Sequence, residues 1–251
     1  MEVINLKKYL FQINNLDSFY SYCKTIFAKE DIINKIKEQE LKNMYNLIKS
    51  YPNIITDKQY LANNESILKN TIDLNIDENI NQDLYALRQQ ILVSAFSVLE
   101  IFLGNIVRIY INNFPAMLKE SKNNKIKARE VLKLKDINSI HQYITEQEIV
   151  YFERLSLKEK KEYLYKKLIV AEYNNLGKLD NEKFWNDLWK LDGEELWQEI
   201  NDKRNFIVHS EKIIELSDEQ IQKYLYYFKR IIFGMLLYTK KLTGVDYFSL
   251  S

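Results

Sequence analysis

Apolar positions recur every three or four residues along most of this chain, the period of an amphipathic helix. The longest stripe runs Leu84, Leu87, Ile91, Ala95, Val98, Phe102, Ile109. Leu92, Phe96, Leu99, Ile101 and Leu103 lie beside it, so the helix Leu84–Ile111 is apolar almost all round, as a helix at the centre of a bundle is. Glu100 is its only charge between Arg88 and Arg108. A second strict pattern runs Ile221, Leu225, Phe228, Ile232, Met235, Leu242, with Thr239 as the polar gap. Ser217 and Gln220 form a capping box at its start, so a helix is predicted over Ser217–Thr243. The two continuous stripes need mutual burial, and antiparallel packing of these helices is expected. A third helical pattern, Glu194–Asn205, comes shortly before the second.

The rest of the chain reads as follows. Leu16, Phe19, Tyr20, Cys23 and Phe27 keep helical spacing after Asn15, a capping residue. Ile32, Ile33, Ile36, Leu41, Met44 and Leu47 carry another helix, which Tyr51-Pro52-Asn53 ends. Residues 53–82 are rich in Asn and Asp with weak periodicity, and read as a linker with short helical pieces. Phe114-Pro115 ends the long apolar helix or starts the next. Ser156-Leu-Lys-Glu159 is a capping box opening a helix through Val170, and Asn174–Gly177 is a turn. Phe184, Trp185, Leu188, Trp189 and Trp197 lead into the third pattern, and tryptophans at helical spacing read as core. The expected organisation is an all-α bundle. Residues 1–80 form an N-terminal helical extension, and residues 81–251 a helical domain with a Lys-rich insertion around 113–183.

Composition sharpens this reading. Five glycines and two prolines in 251 residues are too few for strand-and-turn architecture. A net charge of +1 gives no global basic field, so a nucleic-acid site must be a local patch. Cys23 is the single cysteine, and His141 and His209 are the two histidines. That inventory leaves no disulfide framework and no His/Cys metal cluster, although carboxylates could hold magnesium. Glycine-rich phosphate loops and nucleophile elbows are absent from the sequence. The first residues lack an apolar run behind a basic end, and Ile91–Val107 carries Glu100 and Asn105. A cytoplasmic chain with no membrane span is the expectation.

The chemistry concentrates in Arg204–His209, read Arg-Asn-Phe-Ile-Val-His. Continuing the third helix through it gives the stripe Trp197, Ile200, Arg204, Ile207, so an arginine falls where a core residue belongs. A buried arginine is costly unless it is paired or lines a cavity. Its planar fork suits phosphate, and histidine can give or take a proton near neutral pH. Five residues apart on a helix, the two lie roughly 7.5 Å apart along the axis and about 140° apart around it. They converge on one groove only if the helix frays at Val208–Ser210 or if a second copy shares the groove.

The text Ile200-Asn-Asp-Lys-Arg-Asn-Phe-Ile-Val-His-Ser210, with an amphipathic helix before it and a Ser-capped long helix after it, resembles the Arg-Asn-x-x-x-His signature of the HEPN superfamily. Leu84–Ile111 also resembles the first long helix of that fold. The resemblance implies a metal-independent endoribonuclease that needs no cofactor, acts as a toxin or in phage defence, and shares its site between two protomers. Arg204, Asn205 and His209 would be its catalytic residues. RNA would be its substrate, and an antitoxin or defence protein its partner. Some family toxins carry a tyrosine two residues beyond the histidine, modified by a partner nucleotidyltransferase. Glu211 stands there in this chain, against that mode of silencing.

Other residues have two readings each. Glu100 reads first as an exposed residue on the solvated edge of its helix, and second as a buried partner that fixes the Arg204 fork. Lys122, Lys125, Lys127 and Arg129, in the run Lys119–Lys135, form either a solvated face or a phosphate-tracking patch, to which Lys203 would add. His141 reads as an ordinary helix residue. The whole chain likewise has a second reading, a non-catalytic HEPN-like module that binds nucleotide or protein, because fold does not fix function.

Overall fold

The computed structural model describes residues 5–50, 58–120, 133–134, 136–173, 193–210 and 213–247. Among these residues all regular structure is helical. The α-helices are α1 (Lys7–Phe27), α2 (Glu30–Lys49), α3 (Lys58–Asn113), α4 (Ile137–Arg154), α5 (Leu157–Tyr173), α6 (Gly193–His209) and α7 (Asp218–Thr243). A 3-10 helix, Pro115–Glu120, follows α3, so the chain does break at Phe114-Pro115. Tyr51–Asn53, Asn174–Gly177, Phe184, Trp185, Leu188 and Trp189 lie outside the described residues.

α3 is the hub, packing against α1, α2, α4, α6, α7 and the 3-10 helix. Its apolar circumference explains this. Leu92, Ala95, Phe96, Leu99, Phe102, Leu103, Ile106 and Tyr110 are all buried, and they point in several directions around the axis. One window of α3 is long and apolar enough to cross a membrane, and 56% of that window is buried inside the fold. The helix has 56 residues, about 84 Å at the standard rise. The boundary expected near residue 80 therefore falls inside an unbroken helix. The linker reading of 53–82 gives way from Lys58 onward, because Ile72 and Ile76 recur one turn apart and are buried. Lys37 of α2 reaches Asp77 at 3.0 Å and Asp73 at 3.6 Å beside them.

Of the N-terminal helices, α1 packs into the same core. α1 begins at Lys7, two turns before the expected cap at Asn15. Leu6, Tyr9, Ile13 and Tyr20 are buried at helical spacing, while Asn14 and Asn15 fall on the exposed face, where polar residues do not stop a helix. Phe19, expected in the stripe, is exposed.

Contacts along α3 fix the direction of its neighbours. Arg88 meets the Leu216 carbonyl, Phe96 packs edge-on against Phe228, and Tyr110 hydrogen-bonds Thr239. Both residue numbers rise together, so α3 and α7 run parallel and not antiparallel as expected. The intervening chain returns through α6, which runs antiparallel to α7: Trp197 packs on Tyr227 and Glu199 accepts from the Tyr224 hydroxyl. α1 is antiparallel to α3, pairing Tyr9 with Phe102 and Tyr20 with Arg88.

Both ends of α7 form as its sequence dictates. Ser217 and Gln220 complete the capping box, and Gly244, at φ 71°, takes the left-handed C-terminal position. Thr239 donates to the Met235 carbonyl and bonds Tyr110 at 2.9 Å, which satisfies the one polar gap in the stripe.

Phe228 is fully buried against Phe96, whereas Phe233 is 47% exposed on the outer side of the same helix. Phe228→Ala should destabilise the fold by about 3–5 kcal/mol through its cavity, and Phe233→Ala by no more than about 0.5 kcal/mol. Urea denaturation of both variants checks the assignment; equal losses would contradict it.

Candidate active site on helix α6

The site is built where α3, α5 and α6 meet. Leu196, Trp197 and Ile200 bury one face of α6, and Arg204 follows one turn later on that face. Its side chain is 26% exposed. The guanidinium lies over the Phe96 ring, with Cζ 5.3 Å from the centroid. Nη1 donates to Asn205 Oδ1 at 3.0 Å, and Nη2 is 3.8 Å from Glu100 Oε2. Nε is buried with no hydrogen-bond partner.

Glu100, with 32% of its side chain exposed, keeps part of the solvated edge and also stands beside Arg204. Its other oxygen accepts from Lys160 Nζ at 2.6 Å. Lys160 projects from α5 with a side chain only 5% exposed, and its ammonium also sits 5.8 Å from the Phe152 ring centroid. The capping box predicted at Ser156 and Glu159 starts α5 and sets this register. Below the pair, Glu148 is buried and accepts from the Tyr163 hydroxyl at 2.6 Å. Burial, then that carboxylate, pushes the Tyr163 phenol far above its ordinary range.

Lys160 was missed in the sequence, although a signal exists. Leu157, Lys160 and Leu164 keep three-and-four spacing, so Lys160 occupies a stripe position as Arg204 does. The surrounding Lys158, Glu159, Lys161 and Glu162 make it look like surface charge.

His209 is the last residue of α6 and is exposed. The Ser210 amide still bonds the Phe206 carbonyl at 2.8 Å, so the helix does not fray at Val208–Ser210. Arg204 and His209 stay on different sides of one helix, about 140° apart. Asn205 sits between those two directions. Lys203 lies 3.8 Å from Glu199 and is not brought to Arg204. Lys122, Lys125, Lys127, Arg129 and Glu211 lie outside the described residues. His141, on α4, is partly buried.

The loop that follows the motif is pinned from α3. Gln89 donates to the Ile214 carbonyl at 3.0 Å, and Arg88 to the Leu216 carbonyl at 3.1 Å. Arg88 Nε also donates to the Tyr20 hydroxyl at 2.7 Å, and that hydroxyl donates to Asp218, which Lys24 also meets. Burial works against charge on Asp218, but its bonds to Lys24 and Tyr20 prevail and hold its pKa below the usual carboxylate value. An open cleft of about 360 Å³ borders this cluster, lined in part by Lys24, Phe27, Ile33, Leu84 and Arg88. Among the described residues, no three His, Cys, Asp or Glu side chains group closely enough to hold a metal ion.

No family model, no curated protein sequence and no solved structure matches this chain.

The Tyr20 cluster makes a prediction about pH. Burial, outweighing the Arg88 hydrogen bond, lifts the Tyr20 pKa from 10.0 to about 12. The folded state thus keeps a proton that the unfolded chain loses first. The Tyr20 contribution to stability should be constant below pH 10 and fall between pH 10 and about 12. Tyr20→Phe should make that fall shallower in urea titrations across this window; an unchanged slope would contradict the assignment.

Proposed function

We propose that this chain is a metal-independent endoribonuclease of the HEPN type that cleaves single-stranded RNA by attack of the 2′-hydroxyl. One observation carries the reading. The arginine of the Arg-Asn-x-x-x-His text is held by Phe96, Asn205 and Glu100 at a three-helix junction, and the same helix ends on an exposed histidine. RNA brings its own nucleophile, so the protein needs only a proton carrier and a fixed cation. The 2′-oxygen bonds to phosphorus and the bond from phosphorus to the 5′-oxygen breaks. The leaving 5′-hydroxyl takes up a proton, and a 2′,3′-cyclic phosphate remains. His209 moves the proton. Arg204 stabilises the charge that gathers on the phosphoryl oxygens. Asn205 fixes one edge of the Arg204 fork.

The straight end of α6 favours a site shared by two copies. A single protomer directs Arg204 inward to α3 and His209 outward to solvent, so a second copy must complete the cleft. Phe206 and Val208, exposed beside His209, offer that copy apolar surface. A cytoplasmic toxin or phage-defence effector, restrained by a partner protein, fits this chemistry. The second reading, a non-catalytic nucleotide- or protein-binding module, rests on Arg204 being paired with Glu100 in the single chain.

Purified protein should cleave single-stranded RNA in the presence of EDTA. His209→Ala and Arg204→Ala should each lower the rate by about 10²–10⁴. Arg204→Lys should rescue little, because a point charge cannot reproduce the fork. His141→Ala should cut like wild type. Mixing Arg204→Ala with His209→Ala should restore part of the activity if two copies share the cleft. Full activity of His209→Ala would overturn the catalytic assignment, and RNA bound by wild type but never cut would favour the binding module.

A further inference from the structure

We propose that Lys160 is a positioning residue for Arg204: it occupies Glu100, so that the carboxylate orients the guanidinium without cancelling its charge, and the spare charge receives a phosphodiester. The phosphodiester part rests on the ribonuclease reading above. The geometry of the junction carries the rest. One carboxylate stands between two cations, and it is shared unequally: 2.6 Å to Lys160 and 3.8 Å to Arg204. Lys160, Arg204 and Glu100 by themselves sum to +1, and Glu148 below them is engaged by the Tyr163 hydroxyl.

Burial decides which cation holds Glu100. The Lys160 side chain is almost fully covered, and an ammonium removed from water needs a close anion. Arg204 is more exposed, and its remaining contacts leave its charge intact. Asn205 is a neutral acceptor and Phe96 presents a ring face. Arg204 is thus held on three sides while its charge stays available, and a phosphodiester carries the single negative charge that would balance the cluster. Without Lys160, Glu100 would close on Arg204 as a bidentate pair and occupy the donors that phosphate needs.

The test uses the full chain as wild type, Lys160→Met, Lys160→Arg and the double variant Lys160→Met/Glu100→Gln, each confirmed folded by melting. Lys160→Met leaves Glu100 beside Arg204, and the double variant removes the whole pair, so neither strands a buried charge. The first readout needs no RNA: modification of Arg204 by phenylglyoxal, followed by peptide mass spectrometry. The second is affinity for a labelled single-stranded RNA oligonucleotide. Lys160→Met should slow Arg204 modification and weaken RNA binding, each by about ten- to a hundredfold. Its salt dependence of binding should lose about one phosphate contact in slope. Lys160→Arg should return to near wild type, and the double variant should recover most of the Arg204 reactivity, since no carboxylate then closes on the guanidinium. Should Lys160→Met melt below the assay temperature, Lys160→Gln takes its place with the same expected pattern. Arg204 reactivity unchanged in Lys160→Met, or a double variant as unreactive as the single, would overturn the proposal. The predicted phenylglyoxal pattern in a wild type that binds no RNA would uphold the role of Lys160 and remove the ribonuclease reading.

Discussion

A helix that is apolar on all sides has to be covered on all sides, and α3 sets the rest of the structure through that requirement. Leu92, Phe96, Phe102 and Tyr110 cannot all face one neighbour. α1, α4, α6 and α7 close around them, and the one charge in the middle of this surface, Glu100, is left partly covered at their edge. A partly covered carboxylate needs cations. Lys160 and Arg204 meet that need from two different helices, so the candidate site follows from how the hydrophobic core closes.

The same constraint explains what could be read in the sequence. The start of α7 was legible because Ser217 and Gln220 act through local hydrogen bonds. The capping box of α5 was legible for the same reason. α6 was legible because its stripe reaches Arg204 without a break. Arg204 stood out because a charge on an apolar stripe contradicts its surroundings, and conflicts of that kind mark functional positions. Lys160 poses the same conflict, but in a segment so rich in Lys and Glu that the stripe is hidden.

Long-range geometry was less legible. Stripe continuity shows that α3 and α7 bury each other, but both directions satisfy it; the parallel arrangement depends on α6 crossing back between them. The early start of α1 was missed because Asn14 and Asn15 resemble a cap when read locally, and only packing shows them on the outer face. The N-terminal half of α3 was missed because its solvent faces are rich in Asn and Asp, and among the described residues Ile72 and Ile76 mark its buried side. The cations beside Glu100 were not legible because a lone glutamate on an apolar helix has no partner visible in its own segment. Its partners lie 60 residues away at Lys160 and 104 away at Arg204.

If Arg204 and His209 serve RNA cleavage by the 2′-hydroxyl, the chemistry leaves its mark on the cut ends. The direct measurement is mass spectrometry of the fragments made from a defined single-stranded RNA in chelator. The account predicts upstream fragments ending in a 2′,3′-cyclic phosphate and downstream fragments beginning with a 5′-hydroxyl. Fragments ending in a 3′-hydroxyl and beginning with a 5′-phosphate would contradict it, because water or another external nucleophile would then have attacked the phosphorus.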